Sequence, residues 1–240
     1  MEAIKTVNLT KKYKNLAAVD NLNLVIEKGE LFSLLGVNGA GKTTTIKMLS
    51  CLIKPTGGEA FVEGSSVIND ELKIKRKIGV SPQETAVAQN LSVKENLELM
   101  CGIYGFSKEK RNEKLEEISK QFGLGPVLHK KAGKLSGGWQ RRLSIAMALI
   151  SEPSVLFLDE PTLGLDVIAR RELWNMILAQ KGKVTIILTT HYMEEAETLS
   201  DRIGIMKNGK LIAVGTAREL MQKTFSKSFE EAFVSMVKGE

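Results

Sequence analysis

The sequence predicts an α/β fold with a mixed sheet region: an N-terminal antiparallel β region, a parallel β core and an inserted helical subdomain. β-Type runs near the start of the chain follow one another closely, as in an antiparallel sheet, whereas later runs alternate with helical patterns, as in a parallel sheet. Two later runs, "SVLFLD" and "VTIILTT", are apolar without alternation, which is typical of central strands covered on both faces. We therefore expect these two runs in the middle of the sheet.

The β-type runs are separated by helical patterns and by turns rich in Gly, Asp and Asn. In chain order they are "AIKTVN", "LNLVI", "LFSLL", "EAFVEG", "KIGVS", "SVLFLD", "VTIILTT", "RIGIM" and "KLIAVG". The closing stretch "FSKSFEEAFVSMVKGE" is expected to be a short helical tail.

Strand signals stop between residues 83 and 135, where "SVKENLELMCGIYG" and "KEKRNEKLEEISKQFG" carry apolar residues at helical spacing. Glu alternates with Lys in the second run, which indicates a solvated helix face rather than a nucleic-acid surface. We therefore expect one domain over 1–240. Its parts are a core with a β subdomain at 1–83 and 150–222, a helical subdomain at 84–149 and a tail at 223–240.

The composition is that of an ordinary globular protein, with 43% hydrophobic and 26% charged residues in 240. The longest apolar runs fall far short of the roughly 20 residues that a membrane span needs, and the N-terminus lacks the pattern of a secretory signal. A cytoplasmic location is therefore expected. Cys51 and Cys101 suggest neither a disulfide framework nor a metal site. The net charge of +6 is spread along the chain in small groups.

"GVNGAGKTTT", starting at Gly36, fits the pattern G-x-x-x-x-G-K-[ST], with Gly41, Lys42 and Thr43 in register. A β-type run precedes it and a helical pattern follows, so backbone N–H groups and a helix N-terminus would converge on an anion. Lys42 would reach the β and γ phosphates of a nucleoside triphosphate, and the Thr43 hydroxyl would bind Mg²⁺. The predicted phosphate-binding residues are Gly36, Val37, Asn38, Gly39, Ala40, Gly41, Lys42, Thr43 and Thr44.

The apolar run "SVLFLD" ends at Asp159, and a second acid, Glu160, follows directly in "EPT". They would lie at the carboxyl edge of the sheet, where ligands of open α/β sheets bind. Asp159 is placed to hold magnesium through its water shell. Glu160 is placed to orient or deprotonate an attacking water.

With "LSGGWQRR" at 135–142 added to these motifs, the chain resembles the ATP-binding subunit of an ATP-binding cassette (ABC) transporter over nearly its whole length. The resemblance also rests on Tyr13, on Gln83 after a strand, on "LGLD" at 163–166 and on "TTH" ending at His191. It implies a P-loop NTPase core of ABC ATPase type that uses ATP and Mg²⁺.

The resemblance further implies a head-to-tail dimer in which each ATP lies between the phosphate loop of one subunit and the signature segment of the other. "SGG" at 136–138 precedes a helical run, so it offers a second helix N-terminus for the facing γ phosphate. The implied signature residues are Ser136, Gly137 and Gly138.

The same resemblance assigns four further roles. Tyr13 would stack on adenine, and Gln83 would sense magnesium and the membrane partner. Asp166 would lie at the dimer contact, and His191 would hold the γ phosphate and the water.

Two positions depart from the family pattern. Trp139 stands where glutamine is common after "LSGG", and Leu163 stands where serine is frequent before "GLD". The first leaves the phosphate contacts intact but alters packing, and the second removes a hydroxyl that can hydrogen-bond across the interface.

Within the family, the length of the helical insert favours transport, because long coiled coils and a second cassette are absent from the sequence. The expected partners are a separate membrane permease and a second ATP-binding subunit, identical or related, at the cytoplasmic face of the membrane, and no nucleic acid. "TTHYMEEAETLSDRIGIMKNGKLIAVGT" and "SFEEAF" are similar to the subfamily that powers export of drugs, antibiotics, lipids or ions. The alternatives left open are an ABC ATPase acting on nucleic acid or ribosomes, and a small-molecule kinase.

Overall fold

The computed structural model describes residues 1–239, which form two β-sheets with helices packed around them. Glu240, the last residue of the predicted tail, lies outside the described residues. The strands are β1 (Glu2–Tyr13), β2 (Leu16–Glu27), β3 (Leu31–Leu35), β4 (Gly57–Val62), β5 (Ser65–Ser66), β6 (Ile78–Ser81), β7 (Val155–Asp159), β8 (Thr185–Thr190), β9 (Arg202–Lys207) and β10 (Lys210–Gly215). The helices are α1 (Lys42–Leu49), α2 (Glu71–Lys75), α3 (Val93–Ile103), α4 (Lys108–Gln121), α5 (Gly137–Leu149), α6 (Val167–Leu178), α7 (Met193–Leu199), α8 (Ala217–Lys223) and α9 (Phe229–Lys238).

The larger sheet has the strand order β10-β9-β3-β8-β7-β6, and all its pairs are parallel except β9 with β10. The smaller sheet is antiparallel, with the order β2-β1-β4-β5. The predicted α/β class, with an N-terminal antiparallel region beside a parallel core, is therefore confirmed.

Strands β3, β7 and β8 are buried along their whole length. On one face of the sheet, Phe32, Phe157 and Ile187 pack in a cluster that includes residues of the smaller sheet. On the other face, Leu156 and Leu188 pack against residues of α5 and α6. Each fully buried apolar side chain contributes about 1.5–3 kcal/mol relative to exposure, so the carboxyl ends of these three strands are held firmly.

Helices α3, α4 and α5 occupy the segment between β6 and β7, and the helical predictions for its two charged runs are confirmed. Helix α3 begins with a reciprocal cap: the Ser92 hydroxyl accepts the N–H of Glu95, and the Glu95 carboxylate accepts the N–H of Ser92. Leu97, Phe122 and Leu143 then bury the apolar faces of this segment in one cluster with the core sheet. The signature segment is thereby tied to the main sheet through apolar packing.

The structure also contains elements that the sequence patterns did not predict. Strand β5 and helix α2 have two and five residues, too few to show a period of their own.

The predicted helical tail is present as α9, whose Phe229 and Phe233 pack in a cluster that includes Ala196 of α7. No helix within residues 1–239 combines the length and the apolar character that crossing a bilayer requires.

The contact of β6 with α5 yields a prediction. A Cβ added at Gly79 would lie 2.1 Å from the carbonyl oxygen of Ala148, so strand and helix backbones must separate in Gly79→Ala. We expect the free energy of unfolding to fall by about 1–3 kcal/mol, measured by urea denaturation.

The matched control is Gly102→Ala on the exposed side of α3, where an added Cβ meets no atom within 4 Å. Alanine has the higher helix propensity, so this variant should be unchanged or more stable by up to about 1 kcal/mol. Equal stability of the two variants would contradict the close approach at Gly79.

Candidate functional site

The loop between β3 and α1 depends on two glycines. Gly41 has φ of 105° at the N-terminus of α1, and an added Cβ there would lie 2.3 Å from the Ala18 carbonyl oxygen. At Gly36, an added Cβ would lie 2.5 Å from the Met206 carbonyl oxygen. Because neither position accommodates a side chain, the loop packs directly on the backbone of its neighbours, as a phosphate-binding loop requires.

Lys42 opens α1 with a side chain that is 5% exposed. Its Nζ donates to the carbonyl oxygens of Gly36 at 2.7 Å and Val37 at 3.2 Å, and it lies 3.4 Å from Glu160 Oε1. The ammonium group is thus fixed over its own loop. A buried charge with several hydrogen bonds is a strong anchor for an anion.

Asp159 ends β7 and is 4% exposed. Its Oδ1 accepts hydrogen bonds from Thr43 Oγ1 at 3.0 Å and from Thr189 Oγ1 at 2.5 Å. The register of β7 with β8 places Asp159 opposite Thr189, which explains the second bond. The hydroxyl of Thr43 and the carboxylate of Asp159 therefore meet at the carboxyl edge of the sheet.

Glu160 follows immediately in a left-handed conformation, with φ of 48°. Its N–H donates to the carbonyl oxygen of Thr189 at 3.1 Å and to Thr189 Oγ1 at 3.0 Å. Its Oε2 lies 2.6 Å from Nδ1 of His191, the residue that follows β8. This strained backbone turns the Glu160 carboxyl toward both Lys42 and His191, and such strain is common at functional sites.

A cleft of about 660 Å³ opens in front of these groups. Tyr13, which is 47% exposed, and Gln83 lie on its wall. The predicted residues that line it are Tyr13, Asn38, Gly39, Ala40, Gly41, Lys42, Thr43, Thr44, Gln83 and Glu160. Gly36 and Val37 lie behind Lys42, and Asp159 and His191 contact the lining through Thr43 and Glu160.

Sequence reasoning missed four lining residues: Leu16, Ala17, Ala18 and Asn208. The first three follow Tyr13 in the hairpin of β1 and β2. Asn208 lies in the turn between β9 and β10, and Gly209 N donates to the Ala40 carbonyl oxygen at 3.0 Å. The "NG" dipeptide marked that turn in the sequence, but its position beside the loop depends on the fold.

The signature residues do not line this cleft. Ser136 caps α5 without a side-chain hydrogen bond, and Ser136 and Gly137 are exposed. A Cβ on Gly138 would lie 3.4 Å from Ala169 Cβ, so this helix end lies beside α6. Asp166 caps α6 there by accepting the N–H groups of Ile168 and Ala169, both at 2.9 Å, which is a structural role of its own. The N-terminal ends of α5 and α6 therefore form one surface patch, which lies outside the cleft described above.

Arg141 of α5 joins this patch to the cleft, and sequence reasoning missed it. Its guanidinium donates to the carbonyl oxygens of Pro82 and Gln83, each at 2.7 Å. Burial lowers the pKa of Arg141, and the negative charges of Asp159 and Glu195 oppose that shift. The backbone at Gln83 is therefore held by the signature helix.

Of the two departures from the family pattern, Trp139 follows the signature glycines on α5, and Leu163 lies in the loop that leads to Asp166. Trp139 packs against the helical cluster, with the Arg142 guanidinium 4.6 Å from its ring centroid. Leu163 is 36% exposed. Both side chains add apolar surface to this part of the molecule.

Comparisons with known proteins find similar sequences and a similar solved structure. The profile of the ABC transporter family matches residues 19–163. The "Probable multidrug ABC transporter ATP-binding protein YbhF" of Escherichia coli strain K12 is 40% identical over 98% of this chain and 41% of its own length. The "Daunorubicin/doxorubicin resistance ATP-binding protein DrrA" of Streptomyces peucetius is 41% identical over 91% of this chain and 66% of its own. The chain therefore spans less than half of the first of these relatives.

A solved structure described as "Dimeric structure of a post-hydrolysis state of the ATP-binding cassette MJ0796 bound to ADP and Pi" is also similar. It is 31% identical, with a TM-score of 0.81 over 89% of this chain and 98% of the solved chain.

The position of the Lys42 ammonium yields a prediction. Lys42→Ala removes a buried charge with fixed partners, so affinity for a fluorescent ATP analogue should fall by about ten- to hundredfold, equivalent to about 1.5–3 kcal/mol. Equilibrium titration with the analogue measures this affinity. The control is Lys47→Ala, an exposed lysine of the same helix, which should bind like the parent. Equal affinity of the two variants would exclude Lys42 as the anion anchor.

Proposed function

The chain belongs to the ABC transporter family, and we propose that it is the ATP-binding subunit of a transporter. In this proposal it hydrolyses ATP between two subunits and so drives export through a separate membrane permease. The observation that carries the proposal is the contact of Glu160 with both Lys42 and His191 at the edge of the cleft. A carboxylate fixed between a phosphate-binding ammonium and an imidazole is suited to act on a water beside a terminal phosphate.

The donor set fits magnesium. Thr43 Oγ1 and Asp159 Oδ1 lie 3.0 Å apart, and Gln83 lies on the wall of the same cleft. Mg²⁺ prefers a few such oxygen ligands, together with phosphate oxygens and waters. In this proposal Thr43, Asp159 and Gln83 hold the ion, which neutralises charge on the phosphates.

The other residues of the cleft divide the remaining work. The loop from Gly36 to Thr44 and Lys42 bind the phosphates, and Tyr13 stacks on the base. Glu160 accepts a proton from the attacking water, and His191 keeps the Glu160 carboxyl and the γ phosphate in place. The hydrogen bond between His191 Nδ1 and Glu160 Oε2 supports this division.

The dimer is supported by the exposed end of α5. Ser136 and the two following glycines form the N-terminus of α5, where the helix dipole is positive, and they do not line their own cleft. A γ phosphate held by a second copy, or by a related subunit, would bind there. Asp166 and Leu163 lie in the loop before α6, and in this proposal they form the contact between the subunits. The dimeric relative described above is consistent with this arrangement.

A groove of about 320 Å³ between β6 and the helical segment supports the permease as a further partner. Leu52, Met100 and Tyr104 line it, and Leu99 and Ile103 are exposed on the same α3. Exposed apolar residues in one place mark a docking surface. In this proposal the groove binds a cytoplasmic segment of the permease, and the subunit works at the cytoplasmic face of the membrane. The multidrug and daunorubicin-resistance descriptions of the relatives favour export.

Glu160→Gln tests the proposed base. The amide keeps the size of the side chain but cannot accept a proton, so ATP turnover should fall by at least about 10²-fold while ATP binding is retained. The trapped nucleotide should hold two subunits together, which size-exclusion chromatography with ATP would detect. Turnover at the parental rate would rule out Glu160 as the base.

Ser136→Arg tests the second half of the site. A large cation at the exposed end of α5 would block a facing γ phosphate, so ATPase activity should be lost while each subunit still binds nucleotide. The control, Asn112→Arg, adds the same side chain on the exposed face of α4 and should keep both properties. Loss of nucleotide binding in Ser136→Arg would instead indicate misfolding or a site that lies within one subunit.

A further inference from the structure

Glu195 is a fully buried acid that the scheme above does not use. It belongs to α7, four residues after His191, and is 0% exposed. Its Oε1 accepts two hydrogen bonds, from Thr162 Oγ1 at 2.8 Å and from Trp174 Nε1 at 2.9 Å. Both donors are themselves buried, with exposures of 1% and 6%.

These bonds join three segments that all lead to the cleft. Thr162 lies two residues after Glu160, in the loop that ends at Asp166. Trp174 belongs to α6, which begins after Asp166. Helix α7, which carries Glu195, follows directly from His191. One carboxyl oxygen therefore ties the loop of Glu160 to the segment of His191, and both of these to α6.

We propose that Glu195 is a positioning residue for ATP hydrolysis, which fixes the loop of Glu160 relative to the segment of His191. It touches neither nucleotide nor water. It keeps His191 Nδ1 within hydrogen-bond reach of Glu160 Oε2 by setting the distance between their two loops. The proposal rests on the function proposed above, because it assumes that Glu160 and His191 act together.

The surroundings of Glu195 shift the pKa of its carboxyl upward. Burial raises its pKa, the hydroxyls of Thr190 and Thr162 and the Trp174 indole act against this, and the Glu160 charge adds to it. Its Oε2 is buried without a hydrogen-bond partner among residues 1–239. The charge of Glu195 acts against the lowering of the Arg141 pKa by burial, while Glu194 and Arg170 pair with each other nearer the surface. The oxygen of an amide in its place would accept the same two hydrogen bonds, from Thr162 and Trp174.

A second contact supports the same link between α6 and the His191 segment. The Tyr192 ring lies 4.1 Å from the His191 ring, centroid to centroid. The Arg170 guanidinium lies 5.7 Å from the Tyr192 ring and 5.4 Å from the Trp174 ring. The His191 segment is thus held against α6 from the surface side, while Glu195 holds it from the interior.

The test compares three variants in steady-state ATPase assays, with the folded fraction measured by urea denaturation. Glu195→Gln keeps an acceptor oxygen for both donors, so kcat and KM should remain near the parental values. Glu195→Ala removes the acceptor, so kcat should fall by at least about tenfold with little change in KM, because misplaced catalytic groups reduce turnover more than binding. Thr162→Val removes only the hydrogen bond between Glu195 and the Glu160 loop, and it should also lower kcat. It tests the same link in case Glu195→Ala does not fold.

Trp174→Phe is the matched control, because it keeps a ring in place and leaves the bond between Thr162 and Glu195 intact. It should keep a higher kcat than Thr162→Val, even if the two are equally destabilised. A positioning role is overturned if folded Glu195→Ala and Thr162→Val turn over ATP at the parental rate. It is also overturned if Glu195→Gln loses as much kcat as Glu195→Ala.

The failure of this proposal can be told apart from failure of the proposed function through Glu160→Gln, assayed in parallel. If Glu160→Gln is inactive and folded Thr162→Val is fully active, only the role of Glu195 is wrong. If Glu160→Gln turns over ATP at the parental rate, Glu160 is not the base, and the premise of the Glu195 proposal fails with it; if the parent chain itself does not hydrolyse ATP, the proposed function fails.

Discussion

The Lys42 ammonium, held out of water between two backbone carbonyls and the Glu160 carboxyl, is the interaction on which the rest of the site depends. Leaving a buried charge without its partner costs about 3–5 kcal/mol, so both sides of this contact must be placed by the fold. The carbonyls are placed by a loop that closes through glycines at 36 and 41. The carboxyl is placed by β7, whose register with β8 also positions Thr189 and the segment of His191. Pairing of β3, β8 and β7 therefore determines the geometry of the cleft before any ligand binds.

The cleft and the exposed end of α5 are two halves that do not meet within one chain. Apolar packing fixes each half to the same sheet, and Arg141 connects them by holding the backbone at Gln83. A ligand that bridges two copies would therefore contact the cleft of one copy and the α5 end of the other at the same time. In the proposed cycle, ATP closes the pair and its hydrolysis allows the pair to open, since the interface is completed by the ligand. Movement at Gln83 would then be transmitted to a partner in the groove beside α3.

Local patterns were sufficient to predict the fold class, because continuous apolar runs such as "SVLFLD" require a strand covered on both faces. They also predicted two groups that the structure brings together, Lys42 and Thr43 in one motif and Asp159 and Glu160 in another, because each motif spans a few neighbouring positions. Glu195 and Arg141 could not be found in this way. Each contacts partners far away in the sequence: Glu195 accepts a hydrogen bond from Thr162, and Arg141 donates one to the carbonyl oxygen of Gln83. No local spacing indicates those contacts. Strand β5 and α2 were missed because they are too short to show a period.

The most direct test of the account is the specific ATPase activity of the chain at saturating ATP over a wide range of protein concentration, with the dimer fraction measured by sedimentation in the same buffer. The account predicts that activity per chain rises with concentration, in step with the dimer fraction, and then reaches a plateau. Constant activity per chain at concentrations where only monomer sediments would contradict it.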